Sequence, residues 1–134
     1  MGGLRRGHIL VVEEDPDLGR LFEAMLAMEG YTITLTRHVQ DAHRALAQQE
    51  PDLVIFDWSF SNVAGYAWID ELRTTTQTAH IPVLLVCGAL PPRGMYEMLA
   101  GAGVPMIEKP FDLLAFNRHI ASLIQPRERI IGAA

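Results

Sequence analysis

Short apolar runs recur along this chain, and each is followed by a stretch whose apolar residues have helical spacing. The clearest run is Leu53-Val54-Ile55-Phe56, which has no polar residue on either face and therefore indicates a strand buried on both sides. Such strands belong to parallel sheets, whose consecutive strands are joined by crossover helices. The alternation predicts an α/β fold, a doubly wound parallel sheet with helices on both faces.

Five strand-and-helix units can be placed on the sequence. The predicted strands span residues 9–12, 31–36, 53–56, 81–86 and 104–107. The predicted helices are one from Pro16 that stops before Gly30, then 39–49, 66–73, one that starts at Pro91-Pro92, and 111–124. The first helix has its own start signal, since Asp15 is a good N-cap, Pro16 suits the first helical position and Asp17 favours the helix dipole.

Composition narrows the class of protein. The 134 residues suit one domain, and 49% hydrophobic residues disfavour disorder. A net charge of −5 without a run of Lys or Arg disfavours a direct nucleic-acid surface. No apolar stretch reaches the roughly 18 residues of a membrane span. The single cysteine, Cys87, excludes an internal disulfide and favours a reducing, cytoplasmic location.

Charged residues follow several predicted strands. Glu13 and Glu14 come after the first strand, Asp57 ends the third, Cys87 ends the fourth and Lys109 ends the fifth. These positions should meet, because the site of a doubly wound sheet lies beyond the carboxyl ends of its strands. Crowded carboxylates repel each other unless a hard cation lies among them, and Mg²⁺ is the natural candidate. Lys109 would pair with Asp57 or with a phosphoryl oxygen.

Asp57 is the candidate reactive group of this set. Its carboxylate would emerge at the mouth of the sheet, where it could attack a phosphoryl donor and form an acyl phosphate. Two plainer interpretations remain open from the residues alone. Asp57 could be an ordinary acid in a turn at a strand end, and Glu13 and Glu14 could be solvated acids at a helix start.

Four stretches and one glycine resemble, in order and spacing, the CheY-like receiver domain of two-component response regulators. The stretches are ILVVEEDPDL, PDLVIFDWS, IPVLLVCGA and AGAGVPMIEKPF, and the glycine is Gly65. The resemblance covers about residues 7–124, and it places a receiver domain at 7–125 and a C-terminal tail or linker stub at 126–134. It implies a flavodoxin-like five-stranded sheet in the order 2-1-3-4-5.

The resemblance also implies a role for individual residues. Asp57 matches the phosphoacceptor, and Lys109 matches the lysine that contacts the phosphoryl group. The bond between Lys109 and Pro110 matches one that is usually cis in the family. The implied Mg²⁺ site comprises Glu13, Glu14, Asp57 and the backbone carbonyl of Ser59.

Several positions depart from the family pattern, and three of them concern the metal shell and the switch. Glu14 stands where the acid pair usually has Asp, so its carboxylate lies one methylene further out. Cys87 stands at the switch position that usually carries Thr or Ser, and a thiol is a weak hydrogen-bond donor. Met106 stands at the switch position that usually carries an aromatic residue. The acceptor and the lysine are kept, whereas the metal shell and both switch residues are altered.

The resemblance implies a signalling module rather than an enzyme. A sensor histidine kinase or phosphotransfer protein would donate the phosphoryl group. A downstream protein or output domain would bind the face of the fourth helix, fifth strand and fifth helix, and a homodimer is also allowed. No direct contact with nucleic acid or membrane is expected.

Two other functions are weighed beside this one. Glu14, Cys87 and Met106 motivate a degenerate receiver, an interaction module whose binding ignores phosphate. Haloacid dehalogenase-type phosphatases also carry an Asp after an apolar strand, but they need a second Asp two residues later, where this chain has Ser59.

Overall fold

The computed structural model describes residues 6–58 and 63–133 of the chain, in which strands and helices alternate. The strands are β1 (His8–Val12), β2 (Thr32–Thr36), β3 (Leu53–Trp58), β4 (Val83–Cys87) and β5 (Met106–Glu108). The helices are α1 (Pro16–Met28), α2 (Val39–Gln48), α3 (Val63–Thr74), α4 (Arg93–Gly101) and α5 (Leu113–Ala133). Within the described residues, no helix combines the length and the hydropathy that crossing a membrane would require.

The five strands form one parallel sheet in the order β2-β1-β3-β4-β5. The predicted order and the flavodoxin-like fold class are thereby confirmed. The register sets Asp57 on β3 beside Val86 of β4, and Cys87 at the end of β4 beside Glu108 of β5. The carboxyl ends of the strands therefore meet at one edge of the sheet.

Each face of the sheet has its own hydrophobic core, because successive strand residues point to opposite sides. On one side, Leu10 and Val12 of β1 belong to a cluster that includes residues from α2, α3 and α4. On the other side, Ile9 and Val11 belong to a cluster that includes residues from α1 and α5. Leu53 to Phe56 are at most 1% exposed, as a strand covered on both faces requires.

Helix α1 begins as its sequence predicts. The Asp15 carboxylate accepts hydrogen bonds from the backbone N–H groups of Asp17 at 2.9 Å and Leu18 at 3.4 Å, and Pro16 is the first helical residue. These bonds satisfy N–H groups that would otherwise lack a partner in the first turn. Past the helix end, Gly30 has a φ of 94°, a left-handed conformation that glycine adopts without strain.

Several predicted boundaries are wrong by a few residues. Strand β5 starts at Met106 rather than at 104, since Pro105 has no N–H and only its carbonyl joins the sheet, accepting from Leu85 N at 3.0 Å. Helix α5 starts at Leu113 rather than at 111, because Asp112 caps it through a bond from Ala115 N at 3.1 Å.

Other elements are longer than predicted. Helix α3 begins three residues before the predicted 66–73 segment, and β3 extends through Trp58. Strand β4 is shifted rather than lengthened, since it spans Val83–Cys87 where 81–86 is predicted. Helix α5 continues to Ala133, so most of the segment that we predict as a tail or linker stub, 126–134, is helical. The division of the chain into 7–125 and 126–134 stays a prediction.

Candidate functional site

A crevice of about 470 Å³ opens at the carboxyl ends of β1 and β3. Its walls include the three acids that we predict to lie close together, Glu13, Glu14 and Asp57. Two basic residues that follow β2, Arg37 and His38, also line the wall, together with the amide of Gln40. The parallel topology explains this assembly, since each of these acidic and basic residues lies within two residues of the carboxyl end of a strand.

Asp57 and Lys109 form the closest polar contact of the site. Lys109 Nζ donates to Asp57 Oδ2 at 2.6 Å, and the two side chains are 29% and 10% exposed. The lysine is held by the extension of the sheet, since its backbone N–H donates to the Cys87 carbonyl at 2.7 Å. The peptide bond to Pro110 is cis, as the resemblance implies. The predicted pairing of acid and lysine is therefore present, 52 residues apart in sequence.

Glu13 carries a carboxyl group that is buried beside Asp57, with only 6% of the residue exposed. Its Oε2 accepts a hydrogen bond from Asp15 N at 2.9 Å, whereas its Oε1 is buried without a partner among the described residues. Burial and then interaction with the Asp57 carboxylate raise the pKa of Glu13 to about 8, against the lowering effects of the Asp15 N–H and the Lys109 charge. Near neutral pH this carboxyl holds its proton.

Glu14 stands on the same wall but differs from Glu13 in exposure. The residue is exposed, and its backbone carbonyl accepts a hydrogen bond from Arg37 Nε at 3.1 Å. In the described ranges, no three His, Cys, Asp or Glu side chains converge as metal ligands. Ser59, the fourth predicted ligand, lies outside those ranges. Glu14 therefore lines the crevice together with Glu13 and Asp57, but the three carboxylates do not converge as metal ligands.

The residues nonetheless fit Mg²⁺ in the type of donor they offer. Carboxylate oxygens are its preferred protein ligands, and it keeps waters in its remaining positions. Within the described ranges, the buried Oε1 of Glu13 has no hydrogen-bond partner, which is the condition that a bound cation or its water would relieve. The crevice has room for such a hydrated ion.

The two residues that we predict as atypical switch positions, Cys87 and Met106, are both part of the packed structure. Cys87 is fully buried, and burial together with Asp57 and Glu108 raises the pKa of its thiol to about 11, against the lowering effect of Lys109. The thiol therefore stays protonated and behaves as a small apolar group. Met106 is half-buried and packs against the core on the same face of the sheet.

Arg37 and His38 are the basic crevice residues that the sequence analysis did not predict. They follow β2, the one strand from which no site residue was predicted. The rule that found the other site residues applies here too. Since β2 lies beside β1 in a parallel sheet, the residues after β2 should reach the same edge as Glu13 and Glu14.

Comparison with known proteins identifies the family of this fold and site. Residues 9–121 match the response regulator receiver domain family. The chain is similar to a DNA-binding dual master transcriptional regulator, RpaA of Synechocystis, with 26% identity over 94% of this chain and 52% of that protein. It is also similar to histidine kinase P4 of Formosa agariphila, with 27% identity over 91% of this chain and 9% of that protein. The chain spans about half the length of the transcriptional regulators it matches.

Solved structures support the same assignment. The signal receiver domain of a histidine kinase from Syntrophus aciditrophicus superposes with a TM-score of 0.78 at 28% identity, covering 90% of this chain and 91% of that one. The receiver domain of the Pseudomonas aeruginosa sensor histidine kinase PA1611, which holds a magnesium ion in its cleft, gives 0.75 at 27% identity, covering 89% and 98%. From its sequence match, its sheet order and its acid–lysine edge, this chain belongs to the family of response regulator receiver domains.

Proposed function

We propose that this receiver domain accepts a phosphoryl group on Asp57 from the phosphohistidine of a sensor histidine kinase or phosphotransfer protein. The observation that carries the proposal is the 2.6 Å contact between Lys109 Nζ and Asp57 Oδ2 at the edge of an open, acid-lined crevice. A carboxylate is a competent nucleophile toward phosphorus when nearby cations balance the charge of the transferred group.

The transfer replaces one bond to phosphorus with another. An oxygen of the Asp57 carboxylate attacks phosphorus, the new O–P bond forms, and the N–P bond to the donor imidazole breaks. The imidazole nitrogen keeps the electron pair of that bond and takes up a proton. Lys109 then balances the phosphoryl oxygens with the ammonium group that it already directs at Asp57. Mg²⁺, held by Glu13, Glu14, Asp57 and the carbonyl of Ser59, would supply further charge neutralisation.

The signal would leave through the face made by α4, β5 and α5. Leu90 and Tyr96 are 45% and 40% exposed near this face, an apolar surface suited to a downstream protein, an output domain or a second copy of the domain. A cavity of about 400 Å³ there is lined by Met106, the altered switch residue, and by Tyr96. We propose a signalling role in the cytoplasm, without catalytic turnover of a separate substrate.

A degenerate receiver is the second candidate, and specific observations favour it. Glu14 is exposed, the acid side chains of the described crevice do not converge as ligands, and Cys87 offers a buried thiol in place of a hydroxyl. In this alternative the same face binds its partner whether or not Asp57 is modified. The partner would bind Asp57→Ala and the wild type equally.

The test is labelling of the purified protein with acetyl phosphate and Mg²⁺, followed by intact mass and by sensitivity to hydroxylamine, which cleaves acyl phosphates. We expect the wild type and the control Asp70→Asn, an exposed acid on α3, to gain one labile phosphoryl group. Asp57→Asn should gain none. An unlabelled wild type, or label that survives in Asp57→Asn, would overturn the proposal and leave the degenerate receiver.

A further inference from the structure

Arg37 occupies an unusual place in the crevice. It follows β2, one of the two edge strands, and its guanidinium Nε donates to the carbonyl of Glu14 at 3.1 Å. This bond anchors one end of the guanidinium at the wall of the crevice, because Arg37 and Glu14 both line the space that Asp57 faces. The remaining guanidinium N–H groups belong to a side chain that is exposed rather than packed in the core.

The charge of Arg37 matters because of the other charges along the crevice. Of the described residues that line the crevice, Arg37 is the one with a permanent positive charge, and the acids Glu14 and Asp57 line the same space. Lys109 is already engaged with Asp57 at 2.6 Å. A fixed cation near a binding site raises the local concentration of anions and lowers that of cations.

We propose that Arg37 is a specificity-determining residue that draws the anionic phosphoryl donor into the acceptor crevice and at the same time weakens the binding of Mg²⁺. The proposal rests on the proposed function, because it concerns the donor of the phosphoryl group that Asp57 would accept. It adds a residue from β2 to a site otherwise built from the ends of β1, β3 and β5.

A purely structural role for Arg37 predicts a different outcome. If the bond to the Glu14 carbonyl served only to hold the backbone of the acid pair in place, its loss would disorder the crevice. Mg²⁺ and the anionic donor would then both bind more weakly. The charge role predicts opposite signs for the two ligands, so the two roles are separable by experiment.

The experiment compares the wild type with Arg37→Gln, Arg37→Lys and the control Arg44→Gln at low ionic strength. Arg44 is an exposed arginine on α2 that pairs with Asp41 and does not line this crevice, so its variant matches the change in net charge. Calorimetry measures the Mg²⁺ dissociation constant. Labelling measures the acetyl phosphate concentration at half-maximal rate, and beryllofluoride binding serves as a second anion probe.

In Arg37→Gln we expect the Mg²⁺ dissociation constant to fall about two- to fivefold and the half-saturating acetyl phosphate concentration to rise about two- to fivefold, the range typical of an exposed charge pair. Arg37→Lys should keep both values near those of the wild type, and Arg44→Gln should change neither. The differences should shrink as salt is raised.

Each other outcome contradicts one or both of the two proposals. Weaker Mg²⁺ binding in Arg37→Gln, or an Arg37→Lys variant that behaves like Arg37→Gln, overturns the charge role in favour of a structural one. A third outcome is that the wild type is not labelled, while Arg37→Gln binds Mg²⁺ more tightly and beryllofluoride more weakly than the wild type does. This outcome overturns the phosphoacceptor proposal alone. A wild type that binds neither probe overturns both proposals.

Discussion

Glu13 holds a carboxyl group where its charged form is costly. The residue is 6% exposed, and one carboxyl oxygen has no hydrogen-bond partner among the described residues. Its pKa is raised to about 8 from an ordinary value of 4.5, first by burial and then by the neighbouring Asp57. The proton on Glu13 thus limits the negative charge that faces Asp57 when no cation is bound.

This raised pKa makes stability depend on pH. The folded state binds the proton more tightly than the unfolded state, so the contribution is complete below pH 4.5 and is lost as pH rises through about 8. We expect the free energy of unfolding of the metal-free wild type to fall between about pH 6 and about pH 9. In Glu13→Gln this fall should be smaller by about 3 kcal/mol, since pH 6 lies two units below the folded pKa of about 8 and each unit corresponds to about 1.4 kcal/mol.

Urea unfolding with a chelator present measures this difference. Glu23→Gln is the control, because Glu23 is an exposed acid on α1 and its variant should keep the pH slope of the wild type. Parallel pH profiles for Glu13→Gln and the wild type would show that Glu13 ionises freely in the folded protein.

Helix α1 links its own start signal to the crevice. The Asp15 side chain caps the helix, while the Asp15 backbone N–H donates to Glu13 Oε2 at 2.9 Å. The cap therefore anchors both the first turn of α1 and the acid that precedes it. The two kinds of bond made by Asp15 explain why three consecutive acids differ. Glu13 is buried, Glu14 is exposed and Asp15 caps the helix.

We expect Asp15→Ala to lower the free energy of unfolding by about 1 kcal/mol, the usual cost of removing a capping side chain. Asp17→Ala is the matched control on the same turn, because the Asp17 side chain is 92% exposed and pairs only across the helix surface with Arg20. Its cost should be a few tenths of that value. Equal losses for the two variants, measured by urea unfolding, would contradict the capping role.

The whole molecule depends on covering both faces of one sheet. One cluster packs β1, β3 and β4 against α2, α3 and α4, and the other packs the same strands against α1 and α5. Phe116 is central to the second cluster, since it is fully buried, lies 4.6 Å from Phe111 between ring centroids and 5.9 Å from Phe22. The rings of Phe22 and Phe116 connect α1 to α5 directly, and Phe111, just before α5, stacks on both.

Removal of the Phe116 ring should therefore lower the free energy of unfolding strongly. We expect Phe116→Ala to cost about 3–5 kcal/mol, because it removes a large buried side chain and leaves a cavity. Leu114→Ala, on the same helix but 56% exposed, should change stability by less than about 0.5 kcal/mol. Denaturant unfolding of both variants checks the orientation of α5, and a reversed ranking would mean that α5 packs through its other face.

Much of the fold could be predicted from local patterns. The apolar runs indicated five strands, and the cap residues Asp15 and Pro16 marked the start of α1 correctly. The rule that the carboxyl ends of parallel strands meet also placed Asp57 near Lys109, whose atoms are 2.6 Å apart. These predictions succeed because periodicity, capping and strand burial are encoded within a few neighbouring residues. The sheet order came from the family resemblance rather than from such patterns.

Element ends and the composition of the crevice depended on contacts between distant residues. Pro105 shifted the start of β5, and the cap by Asp112 shifted the start of α5. Arg37 joined the crevice because β2 pairs with β1, and the exposure of Glu14 and the burial of Glu13 followed from the packing around them. Sequence alone therefore determined which elements form and which chemical groups end the strands. Only the tertiary structure decided which of those groups are buried, charged and adjacent, because burial and strand pairing are set by residues far apart in the chain.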